Sequence, residues 1–212
     1  MLIKVCGITT PEDAEACVAL GVDWLGLNFV PSSPRCIDVA AALAIRSAVR
    51  GKAALVGVVA DLPEAALEEL RLAVGLDRLQ LHGDEPPELV RRLAPFAFKA
   101  LRVGDATDVT AAERYEGLLL VDAKVPGALG GTGRTVDFAL AAKLASARPI
   151  LLAGGLGPGN VAAAVRAVSP WGVDVASGVE LSPGVKDLDA VEAFVANARA
   201  AMGAPPRSAS GT

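Results

Sequence analysis

The sequence has few of the residues that hold metal ions or form disulfides. Its 212 residues include one histidine and three cysteines, Cys6, Cys17 and Cys36, and none of the cysteines lies in a CxxC motif. This set is too small for a zinc cluster of cysteine and histidine, so we expect no metal site. An odd, unpatterned set of cysteines fits reduced thiols and a cytoplasmic protein.

Long apolar runs and an excess of basic charge are also absent. No uninterrupted apolar stretch reaches the roughly 18 residues of a membrane-spanning helix, and the first ten residues lack the apolar core of a signal peptide. Lysine and arginine number 20 against 24 acidic residues, which gives a net charge of −4. We therefore expect no nucleic-acid or membrane partner, although a local phosphate site stays possible.

The chain does have enough apolar sequence for one self-sufficient core. Hydrophobic residues make up 52% of it, and a chain of this length buries well over half of the surface that its unfolded form exposes. The length leaves no room for two ordinary domains. We predict one domain over residues 1–202 and a disordered tail at 203–212, which is rich in proline, serine and glycine.

Short apolar runs alternate with helical patterns along the chain. The alternation requires a parallel sheet, because each helix returns the chain to begin the next strand in the same direction. Eight units predict a single α/β domain, a (β/α)8 TIM barrel of eight parallel strands near the minimal size, with an open doubly wound sheet as the alternative. The predicted strands are 2–6, 23–29, 54–59, 78–82, 98–102, 118–122, 150–154 and 173–177. The predicted helices are 11–20, 39–49, 63–74, 86–93, 136–145, 158–168 and 188–200, and the segment after Arg102 has the weakest helical pattern.

Catalytic groups of a parallel barrel gather at the carboxyl ends of its strands. Cys6 ends the first predicted strand, and Asp122 ends the sixth after a wholly apolar run. A carboxylate there is costly unless it has a partner or a function, so Asp122 is a catalytic candidate, with pairing to Lys124 as the alternative. A lone cysteine is usually a small buried hydrophobe, which describes Cys17 well, whereas Cys6 lies at the barrel mouth.

Four further residues are candidates around this pair. Strand periodicity places Lys4 inside the barrel below Cys6, where its ammonium needs a counter-ion. We predict that Asp174, on the strand that becomes adjacent on closure, supplies it. His82 ends the fourth strand and can titrate near neutrality, and we place it behind the reacting groups with Lys4 and Asp174. Arg35, in the loop after the second strand, either clamps a substrate carboxylate or is simply solvated.

Glycine pairs follow the last three strands. They lie in GGTG at 130–133, AGGL at 153–156 and SGVE at 177–180. Glycine lets backbone N–H groups approach an anion, and the loops after strands seven and eight of a barrel are the usual place for a phosphate monoester. Any one pair alone would be an ordinary turn. The predicted phosphate-binding residues are Gly131, Gly133, Gly154, Gly155, Ser177 and Gly178.

These motifs resemble the phosphoribosylanthranilate isomerase family. KVCGIT at the first strand, LQLHGDE at the fourth and DVASGVE at the eighth match in order, over about residues 1–190. The resemblance implies an isomerase of tryptophan biosynthesis that converts N-(5'-phosphoribosyl)anthranilate, a small-molecule phosphosugar, into 1-(2-carboxyphenylamino)-1-deoxyribulose 5-phosphate. This Amadori rearrangement requires neither a metal nor an organic cofactor.

The resemblance also implies a role for each candidate. Cys6 would be the general base, Asp122 the general acid and Arg35 the partner of the anthranilate carboxylate, and the glycine loops would hold the phosphate. These roles suit the chemistry, because an acid must open the furanose ring and a base must remove the C2′ proton. We expect apolar surroundings to keep Asp122 partly protonated and nearby cations such as Lys4 to keep Cys6 a thiolate.

Two other functions compete with this one. One is the histidine-pathway aminoaldose–ketose isomerase, which has aspartate where this chain has Cys6. The other is a non-catalytic phosphosugar-binding subunit, which has no need of an acid–base pair. For the assembly we expect a monomer or a homodimer, because the sequence does not separate apolar helix faces that pack on the barrel from those of a subunit interface.

Overall fold

The computed structural model describes residues 1–123 and 138–202, and these form a closed barrel. Eight parallel strands neighbour one another in chain order, and the first pairs with the eighth. The predicted (β/α)8 barrel is therefore confirmed, and the doubly wound sheet is wrong. The predicted tail and the phosphate candidates Gly131 and Gly133 lie outside the described residues, and the domain boundary at 202 stays a prediction.

The eight barrel strands alternate with eight helices in the part of the chain that the structure describes. The strands are β1 (Leu2–Cys6), β2 (Trp24–Asn28), β3 (Ala54–Val59), β4 (Arg78–Leu81), β5 (Ala97–Val103), β6 (Leu119–Ala123), β7 (Ile150–Ala153) and β8 (Gly172–Val175). The helices are α1 (Pro11–Ala19), α2 (Val39–Val49), α3 (Glu64–Val74), α4 (Pro87–Arg92), α5 (Ala106–Ala112), α6 (Phe138–Ala147), α7 (Val161–Val168) and α8 (Leu188–Met202).

Apolar residues of the barrel fall into two groups. The larger fills the layer between strands and helices, and the smaller fills the barrel itself. Because side chains alternate along a strand, β6 directs Leu120 inward, and Asp122 two residues later also faces the interior. The group inside the barrel comprises Trp24, Val56, Phe98, Ala100, Leu120, Leu151 and Ala153. These side chains form the floor beneath the barrel mouth.

α5 forms where the sequence pattern is weakest, and a capping box explains it. The Asp105 carboxylate accepts hydrogen bonds from the N–H groups of Thr107 and Asp108. The Asp108 carboxylate accepts in return from the N–H of Asp105. These bonds satisfy the free N–H groups of the first turn, and Val109 and Ala112 bury the inner face. Two buried residues are too few to produce a clear helical periodicity.

A short hairpin that the sequence pattern does not predict follows β8. A 3-10 turn at Ser177–Val179 leads into two antiparallel strands, β9 (Glu180–Ser182) and β10 (Val185–Lys186). Gly184 makes the turn with a φ of 87°, and its carbonyl accepts a 2.6 Å hydrogen bond from Thr9 Oγ1. The hairpin is thereby tied to the loop after β1 at the barrel mouth.

Within the described ranges no helix combines the length and the apolar character needed to cross a bilayer.

Candidate active site

A cavity of about 260 Å³ opens at the carboxyl ends of the strands. The strands converge there, so residues far apart in sequence share one wall. Among the predicted site residues, those that line it are Cys6, His82, Asp122, Gly154, Gly155, Asp174 and Ser177. Lys4 lies one layer below, Arg35 lies at the rim, and Gly178 follows Ser177 in the 3-10 turn. The predicted convergence is therefore present for the described candidates.

A second cavity, of about 360 Å³, lies at the opposite end of the barrel, where β4, β5 and β6 begin. Arginine side chains and the apolar Val90 and Phe98 line it, and it contains none of the predicted catalytic residues. We place the site in the smaller cavity because the acid–base candidates lie there. Among the residues that the structure describes, no group of three His, Cys, Asp or Glu side chains could hold a metal ion.

The buried ion pair predicted between β1 and β8 is present. Lys4 Nζ lies 2.8 Å from Asp174 Oδ1, and the Lys4 side chain is fully buried. The two Cα atoms are partners in the β1–β8 register. Burial disfavours the Lys4 ammonium, but Asp174 and then Cys6 outweigh burial, so the pKa of Lys4 is raised and the cation persists.

Gly26 makes room for Cys6 and Lys4. A Cβ atom on Gly26, in the neighbouring β2, would lie 2.7 Å from Cys6 Sγ and 3.1 Å from Lys4 Nζ. Only glycine therefore lets the thiol and the ammonium lie side by side against this strand. A strand glycine often marks such a close approach.

The thiol of Cys6 keeps its proton, although the neighbouring Lys4 cation favours the thiolate. Burial raises its pKa above the ordinary 9.0, and Lys4 offsets this only in part. The expectation of a thiolate is wrong for the protein at rest, because removing the sulfur from water costs more than the cation returns. Lys4 still favours the thiolate relative to the same pocket without it.

Asp122 behaves as expected of an acid. Burial raises the pKa of its carboxyl above 3.8, and the cation of Arg102 counteracts part of this shift. The Cα atoms of Arg102 and Asp122 are partners in the β5–β6 register. The alternative partner, Lys124, lies outside the described residues.

Arg35 is an ordered side chain and not a solvated loop arginine. Its Nε lies 2.9 and 3.1 Å from the two carboxylate oxygens of Glu180, and its Nη2 lies 2.6 Å from Oε2. Lys186 Nζ donates to Glu180 Oε1 at 2.6 Å and to the Cys6 carbonyl at 2.7 Å. The sequence reasoning missed Glu180 and Lys186; the signal available was two charged residues flanking the SPG turn of the hairpin.

The sequence predicts that His82 lies behind the reacting groups, but it lines the cavity itself, and its surroundings favour the neutral imidazole. Burial lowers its pKa below 6.5, and the cations of Lys99 and Arg102 lower it further. Its Nδ1 lies 3.1 Å from Gln80 Nε2. The Oε1 atom of Gln80 is buried at the cavity wall, and within the described part of the chain it has no hydrogen-bond partner. A ligand hydroxyl would satisfy it.

The glycines after β7 and β8 bring the backbone of two loops to the cavity. Gly154 and Gly155 have φ values of 94° and 60°, which side chains rarely adopt. A side chain on Gly178 would collide with the Leu156 carbonyl, so the two loops pack backbone against backbone. Gly154, Gly155 and Ser177 line the cavity.

Comparison with known proteins gives consistent results. Residues 3–197 match the family described as N-(5'phosphoribosyl)anthranilate (PRA) isomerase. The N-(5'-phosphoribosyl)anthranilate isomerase of Myxococcus xanthus is 47% identical over 203 residues, which cover 93% of this chain and 95% of the relative. The structure of phosphoribosyl anthranilate isomerase from Thermotoga maritima has a TM-score of 0.86 at 36% identity, with 94% of this chain and 99% of that chain covered. A phosphoribosyl anthranilate isomerase in complex with reduced 1-(o-carboxyphenylamino)-1-deoxyribulose 5-phosphate has a TM-score of 0.84 at 34% identity, with the same coverage.

Proposed function

Since the chain belongs to the N-(5'-phosphoribosyl)anthranilate isomerase family, we propose that Cys6 and Asp122 perform its proton transfers. The chain is an aldose–ketose isomerase of tryptophan biosynthesis that converts N-(5'-phosphoribosyl)anthranilate into 1-(2-carboxyphenylamino)-1-deoxyribulose 5-phosphate. Family membership decides against the histidine-pathway isomerase and the non-catalytic subunit. The observation that carries the residue assignment is the single cavity that Cys6 and Asp122 both line.

Two proton transfers divide between the pair. The Asp122 carboxyl gives its proton to the furanose ring oxygen, the C1′–O bond breaks, and a Schiff base with the anthranilate nitrogen forms. The Cys6 thiolate then removes the C2′ proton, and the resulting enolamine tautomerises to the ketone. Each proton-transfer group contributes on the order of 10²–10⁴ in rate.

The productive form of the pair has Asp122 protonated and Cys6 ionised. The resting form holds the same single proton on Cys6, because burial raises the pKa of the thiol. At pH values between the pKa of Asp122 and the pKa of Cys6, the fraction of molecules in the productive form therefore depends on the difference between these two pKa values and not on the pH. Burial of Asp122 and the Lys4 cation both narrow this difference, whereas the Asp174 carboxylate raises the pKa of Cys6 and widens it.

Both ends of the substrate are anionic and need anchors. We propose that Arg35 binds the anthranilate carboxylate and that Gly154, Gly155, Ser177 and Gly178 bind the phosphate together with Gly131 and Gly133. Positive φ at Gly154 and Gly155 and the exposed edge of the 3-10 turn support the phosphate assignment. Anchors at both ends hold the reacting carbons between base and acid, which lowers the entropic cost of reaching the transition state.

A turnover assay with phosphoribosylanthranilate generated in situ, and with no added metal, tests the assignment. We expect wild type to consume the fluorescent substrate, and Cys6→Ser and Asp122→Asn to lose on the order of 10²–10⁴ in kcat while still binding product. Cys36→Ser is the matched control, because Cys36 is an exposed thiol outside the cavity. Near-normal activity in either site variant would remove that residue from its role.

The setting of the reaction is also a proposal. We propose that the enzyme acts in the cytoplasm, which is supported by three cysteines that are all free thiols. We further propose that it acts as a monomer or a homodimer.

A further inference from the structure

We propose that Glu180 and Lys186 are positioning residues that set Arg35 to bind the substrate carboxylate. The inference rests on the role proposed above for Arg35 and extends it to two residues of the hairpin. It is carried by three observations: the edge of Arg35 that Glu180 occupies, the charge balance of the three side chains, and the bond from Lys186 to the Cys6 backbone.

Glu180 occupies one edge of the Arg35 guanidinium and leaves another edge available. It accepts from Nε and Nη2, the side-on edge, at 2.6–3.1 Å. A guanidinium has five N–H donors, so Nη1 and the second N–H of Nη2 remain. No described residue accepts a hydrogen bond from Nη1 of Arg35. This end-on fork has the geometry that binds a carboxylate through two parallel hydrogen bonds.

The ammonium of Lys186 offsets the negative charge of Glu180 in the site. A carboxylate beside Arg35 would cancel its charge and repel an anionic substrate. Lys186 Nζ lies 2.6 Å from Glu180 Oε1, and the Lys186 side chain is fully buried. Two cations and one anion leave a net charge of +1. The Arg35 side chain is the most exposed of the three, at 21%, so that charge is presented at the rim.

The same lysine connects the carboxylate grip to the catalytic base. Lys186 Nζ also donates to the Cys6 carbonyl at 2.7 Å. Arg35 in turn lies directly over Gly7, where φ is 75° and any side chain would overlap the Arg35 methylenes. The position of the guanidinium is thereby fixed relative to the sulfur that removes the C2′ proton. α1 and β2 separate Cys6 from Arg35 in the sequence, and the hairpin joins the two residues in space.

Two ligands separate positioning of the carboxylate grip from general structural support. One is the product, 1-(2-carboxyphenylamino)-1-deoxyribulose 5-phosphate, and the other is the same compound without the carboxylate, 1-phenylamino-1-deoxyribulose 5-phosphate. We expect wild type to bind the product at least about tenfold more tightly, which is typical of a charge-assisted pair. Glu180→Gln should lose about tenfold in affinity for the product and less than about twofold for the analogue. Glu192→Gln, which removes an exposed carboxylate from α8, is the control for net charge.

Steady-state kinetics supply a second readout. The carboxylate grip acts on ground state and transition state alike, so Glu180→Gln should raise KM by about tenfold and lower kcat by less than about threefold. If Glu180→Gln weakened the binding of both ligands equally, Glu180 would only support the fold. If it bound the product more tightly than wild type, Glu180 would compete with the substrate for Arg35. Either result overturns the inference.

Failure of the inference is distinguishable from failure of the Arg35 role. A wild type that turns over substrate but binds both ligands equally would overturn the Arg35 assignment and the inference with it. A wild-type preference for the carboxylate that survives Glu180→Gln overturns the inference alone. If Glu180→Gln does not fold, Glu180→Asp keeps the charge opposite Lys186 and withdraws it from Arg35. We expect Glu180→Asp to show the same selective loss of affinity for the product. Equal weakening of product and analogue binding would again overturn the inference.

Discussion

Gly26 shows how a residue without a side chain controls the packing of Cys6 against Lys4. We expect Gly26→Ala to push the Cys6 thiol and the Lys4 ammonium apart, since the new Cβ would lie 2.7 Å from Sγ. Overpacking of this kind costs about 1–3 kcal/mol of stability, and misplacing the base lowers kcat/KM by roughly 10- to 100-fold. Gly159→Ala is the control, because nothing lies within 4 Å of its Cβ position. Unchanged kcat/KM in Gly26→Ala would contradict the close packing.

The buried carboxyl of Asp122 lowers the free energy of unfolding, and the size of this loss depends on pH. Because burial raises its folded pKa above 3.8, the unfolded state loses this proton first as the pH rises, and ionisation favours unfolding above that value. Asp122→Asn should therefore be more stable than wild type at pH 7, and the difference should shrink as the pH falls towards 3.8. Urea unfolding at several pH values measures this, with Glu69→Gln on the surface of α3 as the control. A constant difference across pH would contradict it.

Single residues differ in how well the sequence predicts them. Cys6 and Asp122 stand out because each ends an apolar run, and strand periodicity places Lys4 beside Asp174. The ionisation of Cys6 and His82 could not be predicted in the same way, because it depends on how far the folded barrel removes each side chain from water. The side chains of Arg35, Glu180 and Lys186 meet only after the chain has closed the barrel and folded back over it.

Among the helices and strands, the periodicity of apolar residues predicts an element well where that element is packed extensively against others. The eight strands lie within one or two residues of their predicted positions, because each is buried on both faces. α5 and the β9–β10 hairpin are short and held by polar contacts, which leave no apolar period in the sequence. The hairpin is the larger omission, since it carries both residues that hold Arg35.

The capping box of α5 contributes to the free energy of unfolding. Asp105→Ala removes the acceptor for the N–H groups of Thr107 and Asp108. We expect the free energy of unfolding to fall by about 0.5–2 kcal/mol, as for other N-cap residues. Glu69→Ala, in the middle of α3, is the control because it removes a carboxylate from a helix without removing a cap. An unchanged free energy of unfolding in Asp105→Ala would show that packing alone holds α5.

For the whole molecule, the Lys4–Asp174 pair bridges the strands that close the barrel. We expect Lys4→Met to cost about 3–5 kcal/mol of stability, because it leaves a buried carboxylate without its cation. The double variant Lys4→Met/Asp174→Leu should recover most of this loss, since it leaves no charge unpaired. Urea unfolding of wild type, Lys4→Met, Asp174→Leu and the double variant completes the cycle. Arg92→Met, which breaks the exposed pair with Glu64, should change stability little. Unchanged stability in Lys4→Met would contradict the importance of the pair.

The bonds that complete the site join residues that lie far apart in the sequence. Lys186 and Cys6 are 180 residues apart, Gly184 and Thr9 are 175 apart, and Asp174 and Lys4 are 170 apart. During synthesis on the ribosome, the catalytic base therefore emerges about 170–180 residues before the groups that tune and anchor it. A nascent chain carries the thiol of Cys6 but no working enzyme until β8 and the hairpin are released.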